Sequence, residues 1–131
     1  MKKKILVVDD EKPIRELVRH KLSRQGYDVL TASDGNEFWD RATNERPDLL
    51  VLDIWLKDKS GITVYDELIR SGFDGDVPVI FITALDDKPP KHASPGCKYA
   101  LYCKPINFDE FLSEVHTLLD ERVRRGRAVS R

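Results

Sequence analysis

The chain alternates short runs of apolar residues with longer segments in which apolar residues recur at helical spacing. Residues 5–8 and 49–52 contain no polar interruption at all, which is typical of strands buried on both faces of a parallel sheet. Three further segments are of strand length and are followed by polar residues. The five predicted strands are residues 5–8, 28–32, 49–52, 77–82 and 99–103.

Four segments carry the apolar stripe of an amphipathic helix. Pro13 suits the first turn of the first helix, and Gly26 marks its end. The stripes are Ile14, Leu17, Val18 and Leu22; Phe38, Trp39 and Ala42 within residues 36–44; Ile62, Tyr65, Leu68 and Ile69; and Phe108, Phe111, Leu112, Val115, Leu118 and Leu119. Strands that alternate with helices predict an α/β fold, a doubly wound five-stranded parallel sheet with right-handed crossovers.

The connection between the fourth and fifth predicted strands breaks this pattern. Pro89, Pro90 and Pro95 lie where a fourth crossover helix is expected. A proline inside a helix removes a backbone donor and clashes with the preceding turn, at a cost of about 3 kcal/mol. We therefore predict a shortened or irregular fourth helix.

Composition and charge narrow the function classes. The 131 residues fit one domain, expected at residues 1–121, followed by a short basic tail at 122–131. A formal net charge of −1 argues against general attraction to nucleic acid or lipid. The apolar runs are far shorter than the ~20 residues of a membrane span, and residues 5–8 are too short for a signal-peptide core. We expect a cytoplasmic protein.

Polar residues end the apolar strands at points that should meet in space. Asp9 and Asp10 follow the first strand, Asp53 ends the third, Thr83 ends the fourth and Lys104 follows the fifth. In an open parallel sheet, ligands bind outside the carboxyl ends of the strands. Any one of these residues could simply end a strand or cap a helix, but the five together predict a site at this edge.

The residue types in this set indicate phosphoryl transfer. Three carboxylates at close range repel one another and need a cation to stay ionised. Mg²⁺ suits them because it accepts few carboxylates and completes its shell with water. A carboxylate held against Mg²⁺ can attack phosphorus and form an acyl phosphate, while lysine and hydroxyl groups neutralise and orient the phosphoryl oxygens.

Four motifs together resemble the CheY-like receiver domain of two-component response regulators. They are ILVVDDEKPIRE from residue 5, LLVLD at 49–53 with Gly61 eight residues beyond Asp53, VIFITA at 79–84, and CKPI at 103–106. The resemblance covers roughly residues 4 to 120 and implies the flavodoxin-like strand order 2-1-3-4-5.

The resemblance also implies a role for each site residue. Asp53 would be the phosphoacceptor. Asp10 would bind Mg²⁺ together with Asp53, Asp9 would act directly or through water, and the backbone carbonyl of Trp55 would complete the protein ligands. The phosphoryl donor would be a phosphohistidine on a sensor histidine kinase or a histidine phosphotransfer protein.

Three further positions would contact the phosphoryl group. Thr83 would move to hydrogen-bond it, the backbone N–H of Ala84 would help, and Lys104 would pair with it. The resemblance thus implies Asp53, Thr83 and Lys104 as the catalytic set, with Trp55 and Ala84 as phosphate-binding positions. The peptide bond between Lys104 and Pro105 is expected to be cis, which an X-Pro bond adopts at modest cost.

The sequence departs from the family pattern around the phosphoacceptor. Family members usually carry proline four residues after it, where this chain has Lys57. Trp55 and Leu85 stand two residues beyond Asp53 and Thr83, positions that flank the path of attacking water in receivers. Trp55 either excludes water and slows loss of the phosphoryl group or simply covers the neighbouring loop.

The switch of this chain also differs from the family pattern. The aromatic switch residue normally stands three residues before the lysine, where this chain has Leu101, with Tyr99 and Tyr102 on either side. Strand alternation places Tyr99 on the face of Leu101 and Tyr102 on the other. Whether the usual coupling between Thr83 and an aromatic residue operates is left open.

The leading prediction is a single-domain response regulator that is phosphorylated on Asp53 and signals by docking to an unknown downstream protein. No helix-turn-helix pattern is left over, so we expect no direct DNA binding; no membrane contact is expected, and pairing with a second copy is an option. Such a protein is not an enzyme beyond its own phosphorylation and autodephosphorylation. The alternatives are a degenerate receiver that acts as a phosphorylation-independent adaptor and a phosphatase of the haloacid-dehalogenase type, whose DxD spacing Asp9, Asp10 and Glu11 lack.

Overall fold

The computed structural model describes residues 2–83 and 99–129. Its elements in chain order are β1 (Lys4–Val8), α1 (Lys12–Ser23), β2 (Asp28–Ala32), α2 (Gly35–Glu45), β3 (Leu49–Asp53), α3 (Gly61–Arg70), β4 (Val79–Thr83), β5 (Tyr99–Cys103) and α4 (Phe108–Val129). The strands form one parallel sheet in the order β2-β1-β3-β4-β5. This confirms the predicted doubly wound α/β fold and its strand order. The predicted irregular fourth helix falls at 84–98, outside the described residues.

Two apolar cores lie on opposite faces of the sheet. Alternate residues of the central strands face α2 and α3 on one side, and the residues between them face α1 and α4 on the other. On the first face Phe81 and Tyr65 form a T-shaped, edge-to-face ring contact, with 6.0 Å between ring centroids. Because both faces are covered, β1, β3 and β4 can be apolar almost throughout.

The observed element bounds differ slightly from the predicted ones. β4 begins at Val79 rather than at residue 77, because Pro78 has no N–H to donate; its carbonyl instead accepts from the Leu50 N–H at 3.0 Å. Helix α4 continues in its backbone to Val129, across the predicted start of the tail at residue 122. Among the described residues, no helix is long and apolar enough to cross a membrane.

The register of the sheet brings the polar strand ends to one edge. Val8 pairs with Leu52, so Asp9 follows β1 at the level where Asp53 ends β3. Thr83 pairs with Cys103, so Lys104 follows β5 at the level where Thr83 ends β4. The fold therefore places these strand ends around one shallow region at the carboxyl edge of the sheet.

Candidate functional site

Four carboxylates meet at this edge. Asp9, Asp10, Glu11 and Asp53 each offer one oxygen, and these oxygens all lie within 4.8 Å of one another. Asp9 and Asp53 are buried, with 2% and 5% of their surface exposed, whereas Asp10 is half-buried and Glu11 is exposed. The cluster thus has a buried floor and an open rim through which a small ligand can enter.

Lys104 joins three of these carboxylates. Its ammonium lies 3.2 Å from Oδ2 of Asp53, 3.2 Å from Oδ2 of Asp9 and 3.0 Å from Oε1 of Glu11. The backbone N–H of Lys104 donates to the carbonyl of Thr83 at 2.8 Å, and the peptide bond that leads to Pro105 is cis. The ammonium therefore reaches the phosphoacceptor candidate at the end of β3 from the end of β5, on the far side of β4.

The backbone around Asp9 holds this carboxylate in place. Its N–H donates to the carbonyl of Ala32 at 3.1 Å, and its Oδ1 accepts from the N–H of Glu11 at 2.9 Å. The guanidinium of Arg15 donates to its carbonyl oxygen at 2.9 Å. Asp9 is thus fixed by both neighbouring elements, β2 and α1.

Asp53 is fixed by the loop that follows it. Its Oδ1 accepts from the N–H of Trp55 at 3.1 Å, and the N–H of Gly61 closes the loop on the carbonyl of Ile54 at 2.7 Å. A Cβ at Gly61 would collide with the carbonyl oxygen of Asp53, so the close return of the chain requires glycine here. This explains physically why Gly61 stands eight residues beyond Asp53.

Electrostatics at the site leave an excess of negative charge. Burial raises the pKa of Asp53 to about 6, and the charge of Asp9 adds to this effect, while Lys104 and the N–H of Trp55 oppose it. Burial by itself would lower the pKa of Lys104, but its hydrogen bond to Glu11 and the charges of Asp53 and Asp9 outweigh burial and raise it. One ammonium therefore does not satisfy four carboxylates.

The donor set fits a hard divalent cation. All candidate ligands are oxygens, and within the described ranges the buried Oδ2 of Asp9 accepts no hydrogen bond of good geometry, although the ammonium of Lys104 lies 3.2 Å away. Carboxylate oxygens with room for water on one side are what Mg²⁺ prefers. The carboxylate oxygens of this cluster therefore suit magnesium as ligands.

The structure brings together most of the residues predicted from the sequence. Asp9, Asp10, Asp53 and Lys104 form the cluster, and Thr83 is buried at the end of β4. Trp55 lies on the rim with its side chain 57% exposed. Ala84 and Leu85 lie outside the described residues.

Of the switch candidates, Tyr102 can be described. Its ring makes a T-shaped, edge-to-face contact with Phe111 at 6.1 Å between centroids, and its hydroxyl donates to the carbonyl of Glu110 at 3.3 Å. This side chain therefore belongs to the face covered by α1 and α4. The side chains of Tyr99 and Leu101 are outside the described part of the chain.

Glu11 is a site residue that the sequence analysis missed. It directly follows two aspartates, and that adjacency was the available signal. Its contact with Lys104 joins residues 93 positions apart, which no local pattern predicts. Glu11 holds the lysine on the exposed side of the site, opposite the buried aspartates.

Comparisons with known proteins agree with this geometry. Residues 5–116 match the family model of the response regulator receiver domain. Over 88 residues the chain is 47% identical to the alkaline phosphatase synthesis transcriptional regulatory protein PhoP of Bacillus subtilis (strain 168), an alignment that covers 67% of this chain but 36% of that protein. The matched segment thus spans about a third of that relative.

Two solved structures are also similar. The response regulator protein TrrA of Thermotoga maritima, in complex with Mg²⁺ and BeF, shares 34% identity at a TM-score of 0.77, over 88% of this chain and 98% of that one. A CheY-like response regulator receiver domain protein of Methanospirillum hungatei JF-1 shares 25% identity at a TM-score of 0.81, over 95% and 99% of the two chains.

Proposed function

Because this chain belongs to the response regulator receiver domain family, we propose that it accepts a phosphoryl group on Asp53 and signals through the surface that changes as a result. The observation that carries this proposal is the arrangement of the acidic cluster. A buried carboxylate lies beside three others, and the ammonium of Lys104 bridges it to Asp9 and Glu11.

The chemistry follows from what each residue can do. An oxygen of Asp53 forms a bond to phosphorus while the bond from phosphorus to the donor nitrogen of a phosphohistidine breaks. Lys104, already 3.2 Å from Oδ2 of Asp53, pairs with the negative charge of the phosphoryl oxygens. Thr83 ends β4, the strand next to β3, and its hydroxyl would donate a hydrogen bond to the same phosphoryl group.

Magnesium would be held by Asp10, Asp53 and the backbone carbonyl of Trp55, with Asp9 acting directly or through water. When bound, it supplies positive charge that neutralises the phosphoryl oxygens. The TrrA relative is described in complex with Mg²⁺ and BeF, which supports the same use of the acidic pocket here. Phosphoryl transfer of this kind relies on placement and charge more than on covalent chemistry by other side chains.

The partners proposed for this chain follow the family. A sensor histidine kinase or a histidine phosphotransfer protein would supply the phosphoryl group, and a downstream protein would recognise the phosphorylated form. The expected absence of direct DNA binding remains a prediction, because the matched segment covers 36% of a relative named as a transcriptional regulatory protein. Phosphotransfer from purified sensor kinases of the same source would identify the donor.

Incubation with acetyl phosphate and Mg²⁺ tests the proposal. We expect the intact mass to increase by one phosphoryl group, located in the peptide that contains Asp53, and we expect no increase when a chelator replaces Mg²⁺. An acyl phosphate is also cleaved by hydroxylamine, unlike a phosphate ester of serine or threonine. No mass increase with Mg²⁺ present would favour the phosphorylation-independent adaptor instead.

The exposed side chain of Trp55 leads to a prediction about the lifetime of the phosphorylated form. If this ring excludes water from the phosphoryl group, Trp55→Asn admits water and speeds hydrolysis about fivefold, which corresponds to about 1 kcal/mol in the barrier. Loss of the added mass over time measures the rate.

Leu17→Gln is the matched control for Trp55→Asn. Leu17 and Trp55 are the large apolar side chains found exposed in the described residues, and Leu17 belongs to α1, whereas Trp55 belongs to the β3–α3 loop. Its variant should keep the wild-type rate. An unchanged rate in Trp55→Asn would mean that the ring merely covers the loop.

A further inference from the structure

A single carboxylate joins the loop between β3 and α3 to the start of helix α2. Asp58 accepts hydrogen bonds from the backbone N–H of Gly35 at 2.8 Å and of Asn36 at 3.3 Å. The side chain of Lys59 lies over Gly35, where a Cβ would be 2.6 Å from its Cγ. The tip of the loop and the first residues of α2 are therefore in direct contact at two neighbouring positions.

Helix α2 depends on this contact to satisfy its first N–H groups. The first N–H groups of a helix have no partner within it. Within its own segment, Asp34 accepts from the N–H of Glu37 at 2.8 Å through its side chain and from the N–H of Phe38 at 3.0 Å through its carbonyl. The two N–H groups before these, at Gly35 and Asn36, are satisfied by Asp58, which belongs to a different loop. These bonds also hold the pKa of Asp58 below its ordinary value, the bond from Gly35 most strongly.

The loop is otherwise fixed near its base. The N–H of Ile54 donates to the carbonyl of Ile82 at 3.0 Å, Gly61 closes on Ile54, and Trp55 forms an isolated bridge with Ser60. The tip at residues 57–59 is exposed. At residue 57, where the receivers that this chain resembles usually carry proline, a lysine leaves the backbone angle free. Within the tip the N–H of Leu56 donates to the carbonyl of Lys59 at 3.3 Å, and Asp58 adds the two bonds that tie the tip to α2.

We propose that Asp58 is a positioning residue, a latch that holds the β3–α3 loop against α2 and so fixes the backbone of Trp55 beside the acidic cluster. The consequence for magnesium affinity rests on the proposed function, because Trp55 is there the residue whose carbonyl would complete the ligand set. The latch itself is a property of the metal-free chain and can be measured without the ion. It also couples the position of α2 to the conformation of the phosphoacceptor loop.

Amide hydrogen exchange in the metal-free protein tests the latch. The N–H of Leu56 donates to the carbonyl of Lys59 across the loop tip at 3.3 Å and reports on the loop, while the N–H groups of Gly35 and Asn36 report on the helix. We expect Asp58→Ala to speed exchange at all three by about fivefold, the usual effect of losing a capping carboxylate. Asp58→Asn keeps an acceptor oxygen, so its exchange rates should lie between those of Asp58→Ala and wild type.

Asp34→Ala is the matched control, because it removes the other carboxylate at the same helix start without touching the loop. It should speed exchange at Glu37 and leave Leu56 unchanged. The latch proposal is wrong if the N–H of Leu56 exchanges at the wild-type rate in Asp58→Ala. It is also wrong if Asp34→Ala speeds exchange at Leu56 equally, because the loop would then respond to any fraying of α2.

Magnesium titration of the same variants tests the positioning role. We expect the dissociation constant for Mg²⁺ to rise several-fold in Asp58→Ala and to stay at the wild-type value in Asp34→Ala. A faster Leu56 amide with an unchanged dissociation constant would overturn the positioning role. Failure of the wild-type chain to bind Mg²⁺ would count against the proposed function, and the exchange experiment would still decide whether the latch exists.

Discussion

Replacing Asp53 with alanine is expected to abolish the mass increase that acetyl phosphate and Mg²⁺ produce in the wild-type chain. Asp53 is the carboxylate at the centre of the cluster, contacted by the ammonium of Lys104 through one oxygen and by the N–H of Trp55 through the other. No other carboxylate of the cluster is contacted by both the ammonium of Lys104 and the N–H of Trp55, so none is placed to attack phosphorus in the same way. Because the unassisted reaction is slow, loss of the nucleophile should reduce labelling below detection.

Asp40→Ala is the control for this experiment. Asp40 lies exposed on α2, so its replacement removes one carboxylate and leaves the acidic cluster untouched. It should be labelled as fully as wild type, and circular dichroism should show that both variants are folded. A phosphoryl group that still appears on Asp53→Ala would place the acceptor elsewhere and remove the basis of the proposed function.

The fold was predictable because strands that are buried on both faces of a sheet have almost entirely apolar sequences. The apolar runs at 5–8 and 49–52 have no polar residue to face water, so they indicate buried strands. Because parallel strands run in the same direction, their carboxyl ends lie at one edge of the sheet. The same features of the sequence predict that Asp9, Asp53 and Lys104 lie together at this edge. These are consequences of strand direction and register, which depend on many residues at once.

What the sequence did not predict depends on single side chains reaching across loops. The contact of Glu11 with Lys104 and that of Asp58 with Gly35 span 93 and 23 residues. In each contact the acid is exposed and far along the chain from its partner. Hydrophobic periodicity does not predict these contacts, because the conformation of the loop determines which group a single carboxylate reaches.

Replacing Lys104 with methionine should lower the free energy of unfolding of the metal-free protein by about 3 kcal/mol at neutral pH, the usual cost of removing one partner from a buried ion pair. Methionine keeps the length of the chain but not the charge. Asp9 and Asp53, both buried, would lose the ammonium that lies 3.2 Å from each. Urea unfolding in the presence of a chelator measures the loss.

The pH dependence of this loss has a definite sign. Folding raises the pKa of Asp53 to about 6 from an ordinary value of 3.8, so this carboxyl favours the folded state at low pH and that stability is lost as the pH rises through about 6. Lys104 acts against the rise, and its removal moves the pKa of Asp53 further upward. The deficit of Lys104→Met should therefore be smaller near pH 4, where Asp53 is protonated in the folded state, and should grow as the pH rises above about 6.

Magnesium and a second lysine variant separate this explanation from a loss of packing. With the competing ammonium gone, Lys104→Met should bind Mg²⁺ more tightly than wild type, and saturating Mg²⁺ should recover part of the lost stability through preferential binding to the folded state. Lys4→Met removes a lysine whose ion pair with Glu45, at 3.5 Å, is half-exposed, and it should cost at most about 1 kcal/mol. Equal losses in the two variants, or weaker Mg²⁺ binding without Lys104, would show that the acidic cluster does not carry the excess negative charge from which its function is derived.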